Sequence, residues 1–491
     1  MTEETPRPTV EHPFAAARFD FAADVPEAGD LGHVHFLAIG GAGMSGVARI
    51  MLARGIEVSG SDAKDVPVLR ALSTEGATVW VGFDEEHQRC ADSVVMSSSI
   101  REDNVELVAA RRRGIPVLHR AQGLAALMKG RRGIAVAGAN GKTTTTSLLT
   151  VALQGCGLDP SFAVGGELAK HGTNAHHGTD DMFVVEADES DGSFVVYHPD
   201  VAVVTNVQPD HLDFYGSFEV VQAAYAAFVS TIRPGGVLVT CADDSGSRLL
   251  AERARSDGIH VLTYGFADDA DLVLSGYTST GLTSTVLLRD GRTSREMTLG
   301  VPGRHNALNA AAAFLAAVHG LGQKPDQVLA GLASFTGTRR RFEPKGSVAG
   351  IDVVDDYAHN VGKVTAVVET GARIVAGRGR LVCVFQPHLY SRTRDFADGL
   401  GAGLAPADVV VVMDVYAARE DPMPGVSGQL VADAVRRYRP GADVRYVPSW
   451  SEVANEVAAL VRPGDLVLTI GAGDVTMIGP EILRLLGRET G

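Results

Sequence analysis

The stretch Val136-Ala137-Gly138-Ala139-Asn140-Gly141-Lys142-Thr143-Thr144-Thr145-Thr146 limits this chain more than any other. Arg131 to Val136 reads as a strand entering it, and Ser147 to Leu153 as the start of a helix leaving it. A strand, a Gly-rich loop and a helix, in that order, aim backbone N–H groups at a helix N-terminus. Those donors and the helix dipole favour a phosphate. Gly138, Ala139, Asn140, Gly141 and Thr144 would form the cradle. Lys142 would reach the outer phosphates of ATP, and Thr143 would place its hydroxyl on Mg²⁺. Only Ala139 and Asn140 separate Gly138 from Gly141-Lys142, where the standard phosphate loop has ~4 residues. The loop is therefore a shortened relative. The bland alternative is a Gly-rich turn before a helix, which does not call for Gly-Lys-Thr directly after a strand.

A second Gly-rich loop lies nearer the N-terminus. His33 to Ile39 reads as a strand, and Gly41, Gly43 and Gly46 then fall in G-x-G-x-x-G register. A helix follows from Val47, then a strand over Gly55 to Gly60, then Asp62. This is the dinucleotide fingerprint in its strand–turn–helix context. Gly41, Gly43, Met44, Ser45 and Gly46 are the candidate diphosphate contacts, and Asp62 is the candidate for ribose hydroxyls. The fingerprint does not separate NAD from another nucleoside diphosphate, and a structural Gly turn remains the alternative. Further strands lead to Ser97 and to His119-Arg120. Residues just past strand ends line the crevice of an open α/β sheet, so Ser97 and His119 join the candidates, with ordinary loop residues as the alternative.

Past the phosphate loop, Phe183-Val184-Val185 runs into Glu186-Ala187-Asp188-Glu189-Ser190-Asp191, and Val201 to Thr205 runs into Asp210-His211-Leu212-Asp213. Mg²⁺ takes hard oxygen ligands completed by water and nucleotide phosphate. Glu186, at the strand end, is the first candidate, and His211 a weaker one that otherwise orients a phosphate or a water. Asp188, Glu189 and Asp191 read as a solvated acidic loop. Pro302 to Asn309 opens an Ala-rich helix running to about His319. Asn306 is a candidate for adenine, since Asn can pair with N6 and N7; Asn309, one turn on, is its support. The alternative for both is a helix cap. After the basic hinge Thr338 to Glu343, apolar strands end in polar residues: His359, His388 and Arg392, Arg419, and Asp474. Near-continuous apolar strands separated by helical stretches imply a buried parallel sheet. Several such endings on one edge imply a site.

At 491 residues and ~150 residues per domain, about three domains are expected. The assignment is a flexible tail over 1–30, a Rossmann-like domain over 31–130, a central P-loop-type ATPase domain over 131–337 and a second Rossmann-like domain over 338–491. A formal charge of −15 argues against a nucleic-acid partner, whose phosphates need a basic surface. Cys90, Cys156, Cys241 and Cys383 have no metal-ligand spacing and fit reduced thiols of a cytoplasmic protein. The longest apolar run, Ala310 to Val318, is too short to cross a membrane.

Residues 31–485 resemble the Mur ligases, specifically the members that add L-alanine to UDP-N-acetylmuramate. The resemblance rests on the two Gly-rich loops, Glu186 to Phe194, Asp210 to Asp213, Gly303-Arg304-His305-Asn306, Asp356-Tyr357-Ala358-His359, Phe385-Gln386-Pro387-His388, Asp414 to Glu420 and Gly471-Ala472-Gly473-Asp474. It implies a three-domain α/β architecture and a cytoplasmic enzyme of peptidoglycan synthesis, monomeric or homodimeric. ATP would phosphorylate the lactyl carboxylate, and the amine of L-alanine would attack the acyl phosphate. Carboxylate and γ-phosphate repel, so Lys142 and Mg²⁺ must sit between them. By similarity, Thr143, Glu186 and His211 hold metal, Asn306 takes adenine, and the first domain takes UDP rather than NAD. Arg392 meets the alanine carboxylate beside His359 and His388. Three pairs depart from the usual pattern: Ala139-Asn140, Gln208-Pro209 and Asn360-Val361. With no lysine between Phe214 and Arg233, no carbamylated lysine is expected. The rival readings are a ligase that recycles a peptide onto the same sugar, a nicotinamide dehydrogenase and a nucleotide-binding protein without turnover.

Overall fold

The computed structural model describes residues 18–168, 172–418 and 420–489; Arg419 lies outside them, as do residues 1–17 of the expected tail. Two compact units make up the chain: residues 1–276, 286–297 and 308–335, and residues 277–285, 298–307 and 336–491.

The first unit holds a five-stranded parallel sheet. Val34–Leu37 lies at its centre, between Val58–Asp62 and Ser93–Met96, with Thr78–Val81 and Val117–His119 at the edges. All four residues of the central strand are buried, as a strand covered on both faces requires. It feeds the helix Ala42–Ala53, whose N-cap is Gly41. In the same unit, Arg132–Ala137 pairs in parallel with Met182–Glu186 on one side and Val201–Val204 on the other. Beyond these come Ser161–Leu168 on the first side, and Val237–Cys241 and His260–Gly265 on the second. The strand order therefore reverses at the end of Arg132–Ala137, where ligands of open α/β sheets bind. The phosphate loop stands there and opens the helix Lys142–Gly155.

Residues 18–31 depart from the expected flexible tail. Phe21, Val25, Ala28 and Leu31 are buried in the same core as Val34 and Leu124, and Ala28–Leu31 forms a 3₁₀ turn. Burying one large apolar side chain is worth about 1.5–3 kcal/mol, so Phe21, Val25 and Leu31 suffice to fix a segment whose average composition is polar.

The second unit carries a six-stranded sheet in the order Glu343–Val348, Ile351–Asp356, Leu466–Ile470, Leu381–Phe385, Val409–Val412, Asp443–Tyr446. Only the first pair is antiparallel. Leu381–Phe385, Val409–Val412 and Leu466–Ile470 are buried throughout, as their near-continuous apolar sequence demands. The Ala-rich helix is shorter than expected: Arg304–Leu315 is α-helical, and Ala316–Gly320 widens into a π turn.

Candidate functional site

The phosphate loop needs its glycines. Gly138 has φ +133° and Gly141 φ +92°, left-handed values that a side chain disfavours. A Cβ on Gly138 would lie 2.0 Å from Thr205 Oγ1, and one on Gly141 2.5 Å from Asn309 Oδ1. Asn309 thus stands against the loop itself. Asn206 clamps the loop from the neighbouring strand end: its Oδ1 accepts from Asn140 N at 2.9 Å and its Nδ2 donates to Asn140 O at 2.8 Å. Ala139 is buried. The Asn140 side chain donates to Gln208 Oε1 at 3.0 Å. Two of the three pairs that depart from the family pattern therefore meet in space, across 68 residues of sequence.

The helix start positions the charged groups. Thr143 Oγ1 donates to Glu186 Oε1 at 2.9 Å, and Gly165 N donates to Glu186 Oε2 at 2.6 Å. Thr144, half-buried, lies in the same first turn. Lys142 Nζ donates to Gly138 O and to Glu189 Oε1, each at 2.7 Å. Burial opposes the ammonium, but the carboxylates of Glu189, Asp188 and Glu186 outweigh it and raise the pKa of Lys142. The site cation is held charged.

Glu189 and Asp191 do not lie in a solvated loop, contrary to the sequence reading, while Asp188 keeps 41% of its side chain exposed. Glu189 is only 2% exposed and carries Lys142. Asp188 Oδ2 lies 3.5 Å from Arg120 Nη2. Asp191 accepts from Ser98 Oγ at 2.5 Å and lies 3.2 Å from His119 Nε2. Burial works against the Asp191 carboxylate, but hydrogen bonds from His119, Ser193 and Ser98 hold it well below the usual range. The partners sit far off in sequence, so the run looked uncompensated. The one available signal was an apolar strand emptying into acids beside a Gly-Lys-Thr loop. His211 sits opposite with φ +53°, a left-handed conformation that His tolerates better than most side chains. Its Nε2 is 3.8 Å from Glu189 Oε1.

The first Gly-rich loop is built differently. A Cβ on Gly43 would lie 2.1 Å from Arg120 Nη1, and one on Gly46 3.1 Å from Ala175 Cβ. Met44 and Ser45 are buried, and Ser45 Oγ donates to Ala42 O at 3.1 Å. Asp62 accepts from Gly40 N at 3.0 Å and Lys64 N at 3.1 Å, so it braces the loop. Ser97 Oγ pairs with Ser99 Oγ at 2.7 Å. His119 does not face the crevice as expected. It is fully buried, and its ring nitrogens are committed to Ala121 N and to Ser98 and Asp191. The residue beside the loop is Arg120.

In the second unit, His388 lies 5.7 Å from His359 and stacks on Tyr416 at 6.0 Å between ring centres. Burial, with Lys363, Arg392 and His388 adding positive charge nearby, holds His359 well below the ordinary imidazole pKa. Arg392 occupies the first turn of the helix Tyr390–Leu404. Asn360 caps the preceding helix, Val361–Val375, by accepting from Lys363 N at 2.9 Å. Asn306 is buried and donates to Pro302 O at 2.6 Å. His305, the half-buried residue before it, is pushed down to about 4 by desolvation.

Family models of the Mur ligase catalytic domain, middle domain and glutamate ligase domain match residues 33–132, 136–317 and 340–473. A UDP-N-acetylmuramate–L-alanine ligase of Kineococcus radiotolerans is 55% identical over 462 residues, 94% of this chain and 97% of that one. The chain belongs to the Mur ligase family. A second ligase of that name, from Saccharopolyspora erythraea, is 53% identical over 96% of each chain. Among solved Mur ligases, the UDP-N-acetylmuramate–alanine ligase of Thermotoga maritima matches with a TM-score of 0.78 at 27% identity, covering 93% of this chain and 99% of that one. The murein peptide ligase of Psychrobacter arcticus gives 0.67 at 25% identity, with the same coverage. Members of this family are ATP-dependent ligases.

Proposed function

We propose that this chain joins L-alanine to the lactyl carboxylate of UDP-N-acetylmuramate at the expense of ATP, in peptidoglycan precursor synthesis. The observation that carries this reading is a charged lysine and a Thr–Glu pair at one helix N-terminus, in a chain 55% identical to such a ligase over nearly its whole length. Lys142, with a third N–H free of its two bonds to Gly138 and Glu189, binds the β- and γ-phosphates as negative charge moves toward the leaving ADP. The Gly138 to Thr144 backbone seats the phosphates.

Thr143 and Glu186 offer two adjacent hard oxygens, and His211 faces them across Glu189. No group of three or more His, Cys, Asp or Glu among the described residues is arranged to hold a metal alone. That suits Mg²⁺, which keeps waters and leans on nucleotide phosphate. One Mg²⁺ held by Thr143 and Glu186, and a second held in part by His211, would neutralise phosphate and carboxylate charge. Asn306 reads adenine, and Asn309 shapes the loop. The helix at Gly41, with Gly43 to Gly46 and Arg120, takes the UDP diphosphate. Asp62 and Ser97 border it. Arg392 takes the alanine carboxylate, and His359 and His388, the former held neutral, face the amine. The segments 31–130, 131–337 and 338–491 thus hold sugar nucleotide, ATP and amino acid. No helix among the described residues is long and apolar enough to cross a membrane, and substrates of this kind place the chain in the cytoplasm, as monomer or homodimer.

Phosphate release from ATP–Mg²⁺ tests the reading. Release that needs both UDP-N-acetylmuramate and L-alanine supports it. Release only with a peptide acceptor would assign the chain to the recycling reaction, and no release with any acceptor would refute the ligase reading.

A further inference from the structure

We propose that His119, a residue of the first sheet, is a positioning residue for the ATP site: through Asp191 it holds the turn whose Glu189 aims Lys142. The proposal rests on the ATP reading of the Lys142 loop and assigns His119 away from the sugar nucleotide.

The connection runs through three groups. His119 ends the edge strand Val117–His119 and caps the helix Arg120–Met128. Its Nδ1 accepts from Ala121 N at 3.2 Å, which leaves the proton on Nε2. Nε2 points at Ser98 Oγ, 3.1 Å away, and Asp191 Oδ2, 3.2 Å away. Ser98 adds its own hydrogen bond to the same carboxylate oxygen. The other oxygen, Oδ1, accepts from Ser193 N at 3.1 Å. Both oxygens of the Asp191 carboxylate are therefore engaged, and its two outside donors come from the end of the strand Val117–His119 and from the turn after the strand Ser93–Met96. The imidazole cannot swing away. It is fully buried, with Phe19 at 5.0 Å and Phe21 at 5.5 Å between ring centres.

What Asp191 fixes, Glu189 inherits. Gly192 N donates to Glu189 O at 3.1 Å, closing a tight turn over 189–192. Tyr215 Oη donates to the same carbonyl. Ser190 N donates to Asp188 Oδ1 at 3.1 Å. A turn this braced moves as one piece, so loosening Asp191 displaces the Glu189 side chain and, 2.7 Å on, the Lys142 ammonium. A residue lying in the sugar-nucleotide domain by sequence thereby sets nucleotide affinity in the next domain. Neither glycine loop is touched.

The test separates the two sites by direct titration of the full chain with ATP–Mg²⁺ and, separately, with UDP. His119→Leu and Asp191→Asn should each weaken ATP binding and raise KM for ATP about tenfold, the loss of one charge-assisted hydrogen bond. UDP affinity should not change. The double variant should lose no more than either single one, because both break the same contact. His119→Gln, which restores an N–H donor, should recover most of the loss. Ser98→Ala, at an exposed position that spares the core, should cost about threefold and provides the measurement if His119→Leu does not fold. Unchanged ATP affinity in Ser98→Ala and Asp191→Asn would overturn the proposal. So would additive losses in the double variant, or a fall in UDP affinity equal to or larger than that for ATP. Titration does not need turnover: a chain that binds ATP through this clasp but releases no phosphate refutes the ligase reading and leaves the clasp standing.

Discussion

Two Gly-rich loops stand in the first unit, each between a central parallel strand and a helix, and they are armed differently. The loop at Gly41 offers a helix N-terminus and one guanidinium, Arg120, over Gly43. Its own acid, Asp62, is spent on loop backbone. The loop at Gly138 carries Lys142 within itself, a hydroxyl–carboxylate pair beside it and a buried carboxylate that keeps the lysine charged. A helix N-terminus alone binds phosphate. Moving a phosphoryl group needs fixed charges where charge develops. On the proposed function, the same supersecondary unit serves binding in one place and chemistry in the other, and the difference lies in side chains delivered from neighbouring strands.

The largest expected effect breaks this contrast at its centre. Lys142→Ala should lower kcat about 10³-fold while UDP affinity, measured by titration, stays unchanged. An equal loss of UDP binding would show that the loops are not separate.

A second change asks whether a buried carboxylate whose neighbours do not outweigh its burial behaves differently from Asp191. Asp356 in the second unit accepts from Phe342 N and Ala358 N, each at 2.7 Å. Burial nevertheless pushes its carboxyl up to about 6, with Arg341 only partly offsetting it. The raised folded value means that the unfolded chain ionises first. Stability should therefore fall as pH rises from about 4 to about 6, by about 3 kcal/mol in all. Asp356→Asn should flatten that slope in urea unfolding at pH 4.5 and 6.5. Asp191, depressed instead, contributes stability that is lost as pH falls through its low folded value.

The glycines sharpen the comparison at smaller cost. Gly141→Ala meets Asn309 and a left-handed backbone together and should weaken ATP binding about tenfold, since a strained residue of this kind costs about 1–3 kcal/mol. Gly43→Ala meets only the end of a flexible arginine, with ordinary backbone. UDP affinity should fall about threefold as Arg120 yields. A larger effect at Gly43 than at Gly141 would reverse the ranking.

Much of the fold was legible because its signals are local. Val34–Leu37, Arg132–Ala137 and Leu466–Ile470 are mostly apolar, each broken by at most two other residues (His35; Arg132 and Gly133; Thr469), and they stand next to turn residues, so they have few other places to go. The Thr143–Glu186 pair was legible too, since a strand ending beside a phosphate loop brings its last residue to the helix start. The roles of Asp188, Glu189 and Asp191 were not. An acidic run reads as solvated until its partners are found, and Arg120, Lys142 and His119 arrive from 47 residues away or more. Residues 18–31 were missed for a related reason: a few apolar side chains in a polar segment carry no periodicity, yet they find a core. Asn140 and Gln208 looked like two unrelated departures until the fold set them 3.0 Å apart.

The sequence by itself determined the strand–loop–helix units, the family they belong to and the residue types at the ATP loop, because each depends on spacing along one stretch of chain. The tertiary structure alone decided which charges are compensated, which histidine braces and which faces a crevice, and how far the N-terminal segment is held. Those outcomes depend on burial and on partners from distant strands. A carboxylate becomes a solvated ornament or a buried anchor according to what is folded against it, and no local pattern records that.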